Sequence, residues 1–173
     1  MKGQYFSFDA VIATVIMVLA FSSLVAYWYG AQSVVESRTY SRLADAGRIA
    51  ESLLSPGAPS DWADASKNYN LGDMRQLGIA TGFNNELNMS KVERLREYAD
   101  PAGGNYEAVG NLLRAGGEYY ILIERTNTDT AVETETIAQI GKYPPANALF
   151  VAVANRGATL GGRPVRMRVF LWK

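Results

Sequence analysis

One run dominates the hydrophobic pattern of this chain: Ala10 to Tyr29, AVIATVIMVLAFSSLVAYWY. Its only polar members are Thr14, Ser22 and Ser23, small hydroxyls that can bond back to a helix backbone. Twenty residues rising about 1.5 Å each span about 30 Å, the hydrocarbon thickness of a bilayer. A helix this apolar on every side is made for lipid or for other copies of itself. The alternative is a buried core helix, which rarely runs so long without a charge. Tyr27, Trp28 and Tyr29 gather at the far end, where an aromatic belt would meet the headgroups. Lys2 and the amino terminus lie before the run, which favours a cytoplasmic N-terminus. A secretory signal has a shorter apolar core and a small-residue cleavage site. This run ends in YWYG, so the segment is expected to stay on the mature protein.

Beyond Gly30 the pattern changes rather than stops. Val35, Leu43, Ala46, Ile49, Ala50, Leu53 and Leu54 recur largely at three- and four-residue intervals, an amphipathic helix. Pro56-Gly57 is a stop signal. One helix from about Ala10 to Leu54 would be about 67 Å long, apolar all round in its first half and one-sided in its second. The second half needs a globular partner on one face.

The remaining pattern predicts a mixed body. Residues 57–85 are dense in Gly, Pro, Asp, Asn and Ser and read as irregular surface chain, pinned by Trp62, Leu77 and Ile79. A Trp among Asp residues can be a sugar platform, but a hydrophobic anchor is the commoner role. Ser90-Lys-Val-Glu93 fits a capping box, and Val92, Leu95 and Tyr98 would form the buried stripe of its helix. Asn105 is expected to cap Tyr106–Arg114, with Val109, Leu112 and Leu113 inward and Gly116-Gly117 as the stop. The last third reads as strands: Glu118–Arg125, Ala131–Ile140, Ala148–Ala154 and Arg163–Lys173. ALFVAVA is apolar enough for a central strand. Arg163, Arg166, Arg168 and Lys173 suit a solvated edge strand, with Val165, Met167 and Val169 facing in. The predicted turns are Asn127-Thr-Asp129, Tyr143-Pro-Pro and Leu160-Gly-Gly. The fold class is therefore α+β: a long N-terminal helix with two short helices and a sheet of three or four antiparallel strands. The expected divisions are residues 1–9, a leader; 10–55, the long helix; and 56–173, the head.

Composition narrows the function. Across 173 residues, seventeen basic side chains balance seventeen acidic ones, so there is no basic excess for nucleic acid, and none is expected as a partner. There is no Cys and no His. Thiolate chemistry is excluded, and the commonest general base and transition-metal ligand are missing. GATLGGRP has glycines but no Lys-Ser/Thr to complete a phosphate loop. No cofactor, metal or catalytic residue is expected, and the chain does not read as an enzyme. Asn88-Met89-Ser90 is an N-glycosylation triplet that matters only if this part lies outside the cell.

The N-terminus resembles that of archaeal type IV pilins and pilin-like proteins. The residues that carry the likeness are Lys2-Gly3, then Gln4, Ser7, the acid Asp9 and the unbroken hydrophobic helix. It covers roughly residues 1–55. Short pieces downstream, SPGAPSDW, QLGIA, NMSKVERLREY, NYEAVGNLL and VRMRVFLWK, are similar to such proteins in a looser way. The resemblance implies a class III signal peptide, with processing at Lys2, Gly3, Gln4 and Tyr5 by a prepilin peptidase. A cut after Gly3 makes Asp9 the sixth mature residue. A cut after Gln4 makes it the fifth, the position many archaeal pilins give to Glu. A third possibility is that the chain is not cut. The resemblance further implies assembly through Asp9, Val11, Ile12, Val15, Ile16, Leu19, Phe21 and Leu24, with Asp9 pairing the new amino terminus of a neighbouring subunit.

The expected partners are copies of the chain, the peptidase and assembly machinery, and membrane lipid before assembly. The expected location is the cytoplasmic membrane, N-terminus inside and head outside, then a surface filament. A membrane-anchored minor pilin or assembly protein that does not polymerise is the alternative. An independent local role for Asp9 is to cap a helix beginning at Ala10.

Overall fold

The computed structural model describes residues 3–64, 66–67, 69–126, 134–148 and 150–173. The expected turn at 127–129 and the first residues of the second strand, Ala131 to Glu133, lie outside them. The chain divides into two compact units, Met1–Tyr40 and Ser41–Lys173.

The first unit is helical from Gly3, within α1 (Gly3–Leu53). The helix starts seven residues before the expected Ala10. No proline or turn pair interrupts Gly3 to Phe8, and Gln, Tyr, Phe and Ser all tolerate a helix interior. Asp9 therefore lies in the second turn and does not cap the helix, which corrects the capping reading. Gly30 leaves the helix unbroken and nothing crowds it.

The second unit holds the last residues of α1, a 3-10 turn at Leu71–Asp73, α2 (Met89–Tyr98), α3 (Tyr106–Leu113) and four strands. These are β1 (Glu118–Thr126), β2 (Thr134–Gly141), β3 (Val151–Leu160) and β4 (Arg163–Trp172). They form one sheet in the order β2-β1-β4-β3, every pair antiparallel. Strand alternation sends Tyr119, Ile121 and Ile123 of β1 and Val165, Met167, Val169 and Leu171 of β4 to one face. These meet Ala46, Ile49, Ala50 and Leu53 of α1, with Val92 and Leu95 of α2 and Val109 and Leu113 of α3, in one core. Ile49 and Leu53 are fully buried; each such side chain contributes about 1.5–3 kcal/mol. Val35 and Leu43, expected on the same stripe, are exposed.

Trp62 is the expected anchor: it is fully buried, and its Nε1 donates to Gly78 O at 2.8 Å. Gly78 is required there, since a Cβ would collide with Ser55 O and Gly57 N.

Two strand assignments are corrected. The apolar strand begins at Val151, not Ala148, because Ala148 N–H donates to Pro145 O (3.0 Å) and closes a turn. It is an edge strand, not a central one. The basic strand β4 is central, paired on both sides. Gly161 (φ 58°) and Gly162 (φ 73°) join the two in a two-residue hairpin, the left-handed pair that matches strand twist.

The caps also differ. Asn88 caps α2, its Oδ1 accepting from Lys91 N at 3.3 Å; Ser90 lies inside the helix. Asn105 stands at the start of α3 without a side-chain cap bond, and its carbonyl accepts from Val109 N at 3.0 Å. Arg114, in the left-handed region at φ 53°, ends α3 before the glycines are reached.

Candidate membrane and assembly surface

Residues 8–37 of α1 are exposed without exception. Val11, Ile12, Val15, Ile16, Leu19, Phe21 and Leu24 are 44–62% accessible. At about 100° per residue the first five crowd within about 140° of the helix circumference, while Leu24 and Phe21 lie on the far side. The surface is thus apolar all round, and the helix is long and apolar enough to cross a membrane, beginning from Phe8. Two of its three small hydroxyls bond back to the helix backbone. Thr14 Oγ1 donates to Ala10 O and Ser23 Oγ to Leu19 O, each at 2.8 Å. In hydrocarbon an unsatisfied hydroxyl would be costly, and these are not. Tyr27, Trp28 and Tyr29 are exposed one turn before the polar stretch. Asp9 is exposed, one residue before the apolar run. Gly3, Gln4 and Tyr5 belong to the helix backbone, and Lys2 lies outside the described residues.

The second unit carries polar features that the pattern did not reveal. Lys91 is buried, with its Nζ donating to Pro56 O (2.8 Å) and Ala80 O (2.9 Å). Burial lowers its pKa below the usual lysine value. The ammonium ties the segment after α1 to the chain before α2. No periodicity marks a lysine stem that bends inward to backbone carbonyls.

Arg166 and Arg168 do not merely solvate an edge. Glu124, on the facing position of β1, accepts from Arg166 Nη2 at 3.0 Å and Arg168 Nη2 at 2.7 Å. Glu124 is 7% accessible. The alternation of β4 placed the arginines on the right face; the strand order that supplies Glu124 is a long-range fact.

Asn88 is half-buried beside a shallow open cleft of about 540 Å³. Glu86, Arg125, Leu160 and Arg163 also line it. The walls mix both charges, and Arg125 is engaged with Glu135 at 3.1 Å. Among the described residues no group of three or more Asp or Glu side chains is placed to hold a metal ion. Compared with known proteins, the chain matches no family model and no curated sequence.

Proposed function

We propose that this chain is a structural subunit of an archaeal type IV pilus-like filament, built by bundling the apolar helix. The observation that carries the reading is that helix: long enough for a bilayer, exposed around its whole circumference, and with the Thr14 and Ser23 hydroxyls bonded to its own backbone. Such a surface needs lipid first and neighbouring helices afterwards. Moving from lipid to a bundle trades one apolar environment for another, so packing and polar contacts decide the assembly. Asp9 supplies the polar contact. Inside a bundle an unpaired carboxylate is costly, and a neighbour's amino terminus offsets that cost while fixing the register. The body formed by Ser41–Lys173 would tile the outside. Asparagine-linked glycosylation of Asn88, adhesion and the extracellular location belong to this same proposal.

A membrane-anchored relative that does not polymerise is the second reading. It is favoured by the position of Asp9, which is sixth rather than fifth if the chain is cut after Gly3.

The test is Asp9→Ala expressed in an archaeal host with its prepilin peptidase. The filament reading expects normal membrane insertion and loss of filaments from sheared surface material in electron micrographs. Filaments of normal length and number from the variant would remove Asp9 from assembly. A wild-type chain that stays in the membrane without filaments would favour the anchored relative.

A further inference from the structure

Backbone hydrogen bonds hold the walls of the cleft beside Asn88 together. Leu87 N donates to Thr159 O at 2.7 Å, and Thr159 N to Asn85 O at 3.0 Å. Thr81 N donates to Glu86 O at 2.7 Å, and Asn88 N to Ile79 O at 2.8 Å. The segment before α2 is thereby fixed against the end of β3, and the cleft is formed in the single chain. Gly161, with its left-handed φ of 58°, sets the turn at one side. The lining joins an apolar strip, Leu160 and Gly161, to a polar rim of Thr81, Glu86, Arg125 and Arg163. Arg125 is committed to Glu135 at 3.1 Å. Arg163 is exposed and forms no salt bridge among the described residues.

Asn88 divides its carboxamide between two tasks. Oδ1 caps α2 by accepting from Lys91 N at 3.3 Å. Nδ2 has no hydrogen bond among the described residues and is not buried. Glycosylation of Asn88-Met89-Ser90 would use Nδ2 alone, so the cap would survive it. We propose that the cleft seats the first sugar ring of a glycan carried on Asn88 Nδ2, with the apolar ring face against Leu160 and the hydroxyls on Arg163 and Glu86. A pyranose has a face of C–H bonds and a rim of hydroxyls, the same division as the lining. Its hydroxyls can accept from a guanidinium and donate to a carboxylate, whereas a free anion would be repelled by Glu86. The volume of about 540 Å³ lies within the range of about 300–1,000 Å³ typical of small-molecule sites. In the transfer, Nδ2 exchanges one hydrogen for a bond to the sugar C1. The C1–O bond to a lipid-linked phosphate donor breaks, its electron pair stays with the phosphate, and the proton passes to solvent. The inference rests on the extracellular location of the Ser41–Lys173 body in the proposed function, and adds where the sugar lies.

The test compares the full-length protein from an archaeal host with its Ser90→Ala and Ser90→Thr variants. Each is labelled with an arginine-reactive dicarbonyl, and labelling is read residue by residue by mass spectrometry. The mass of the Asn88 peptide reports the sugar. Ser90→Ala keeps the Asn88 cap and removes the triplet, whereas Ser90→Thr keeps both. With the sugar present, Arg163 should react about fivefold more slowly than in Ser90→Ala, which corresponds to a seat occupied about four-fifths of the time. Arg75 and Arg96, exposed and outside the cleft, should react alike in both proteins. Ser90→Thr should retain the sugar and the protection of Arg163. An unmodified Asn88 would overturn the inference together with the glycosylation reading and leave the membrane helix untouched. A modified Asn88 with Arg163 as reactive as in Ser90→Ala would overturn the seat alone. Equal slowing at Arg163 and Arg96 would overturn it as well, because a glycan sweeping the surface shields both.

Discussion

Tyr106 and Tyr119 stack ring on ring, with centroids 4.5 Å apart and planes 6° apart, and each binds the other's backbone. Tyr119 Oη donates to Tyr106 O at 3.1 Å, and Tyr106 Oη accepts from Tyr119 N at 3.0 Å while donating to Glu118 Oε2 at 2.9 Å. The pair locks α3 to the start of β1. Burial, the largest cause, pushes Tyr106 up to about 12 and raises Tyr119 further. Burial also pushes the Glu118 carboxyl up, but hydrogen bonds from Lys142 and Tyr106 outweigh it and hold that group below its usual value.

Alkaline stability follows from these shifts. A tyrosine whose folded pKa is raised contributes stability that is complete below pH 10, its unfolded value, and is lost as pH climbs through the folded value. Lys91 has the opposite sign: its lowered pKa makes its burial less costly as pH rises toward 10.5. Above that pH the tyrosines act alone. The urea midpoint in detergent is expected to fall between about pH 10.5 and pH 12, with a late tyrosinate phase in absorbance. Tyr106→Phe should flatten that fall and cost about 1 kcal/mol at pH 8. A midpoint in the wild type that does not change up to pH 12 would contradict the tyrosine lock.

The start of α2 separates two neighbouring residues. Asn88→Ala removes the observed cap and is expected to cost about 1 kcal/mol. Ser90→Ala, inside the helix, should change stability by less than about 0.5 kcal/mol. Thermal unfolding of the two variants decides between them, and a larger loss at Ser90 would restore the capping box.

Glu124 holds two arginines that would otherwise repel. Glu124→Ala is expected to cost about 2 kcal/mol by urea unfolding, because it leaves Arg166 and Arg168 side by side without their acceptor. Adding Arg168→Leu should recover part of that loss. Additive losses in the double variant would show that the three side chains act independently.

Leu19 lies near the middle of the apolar run. Leu19→Arg places a charge there at a cost of about 2.5–3.5 kcal/mol. The carbonate-resistant membrane fraction is expected to fall sharply, whereas Val35→Arg, beyond the aromatic cluster, should leave it nearly unchanged. Equal behaviour of the two would argue against a membrane span ending near Tyr29.

Much of the fold was legible because it follows from local period. The α1 residues Ala46, Ile49, Ala50 and Leu53, the anchor Trp62, and the inward set Val165, Met167 and Val169 are where their spacing put them. Strand order was not legible. An uncharged strand looks central and a basic one looks peripheral, yet β3 is the edge and β4 the middle. The reason is that Arg166 and Arg168 find their counter-charge in Glu124, forty-two and forty-four residues away in sequence. The start of α1 was missed because nothing between Gly3 and Ala10 breaks a helix. Lys91 was missed because its role depends on two carbonyls from distant loops. The surface of α1 is legible as apolar on every side; which neighbours cover it is a matter of assembly, and no single chain encodes that in its spacing.

The central claim is that the apolar helix stays on the protein and serves as its membrane and assembly element. The most direct check is the mass of the N-terminal peptide of the protein recovered from the cell surface. The account predicts a chain beginning at Gln4 or Tyr5 and retaining Phe8 to Tyr29 intact. An N-terminus beyond Tyr29 would contradict it.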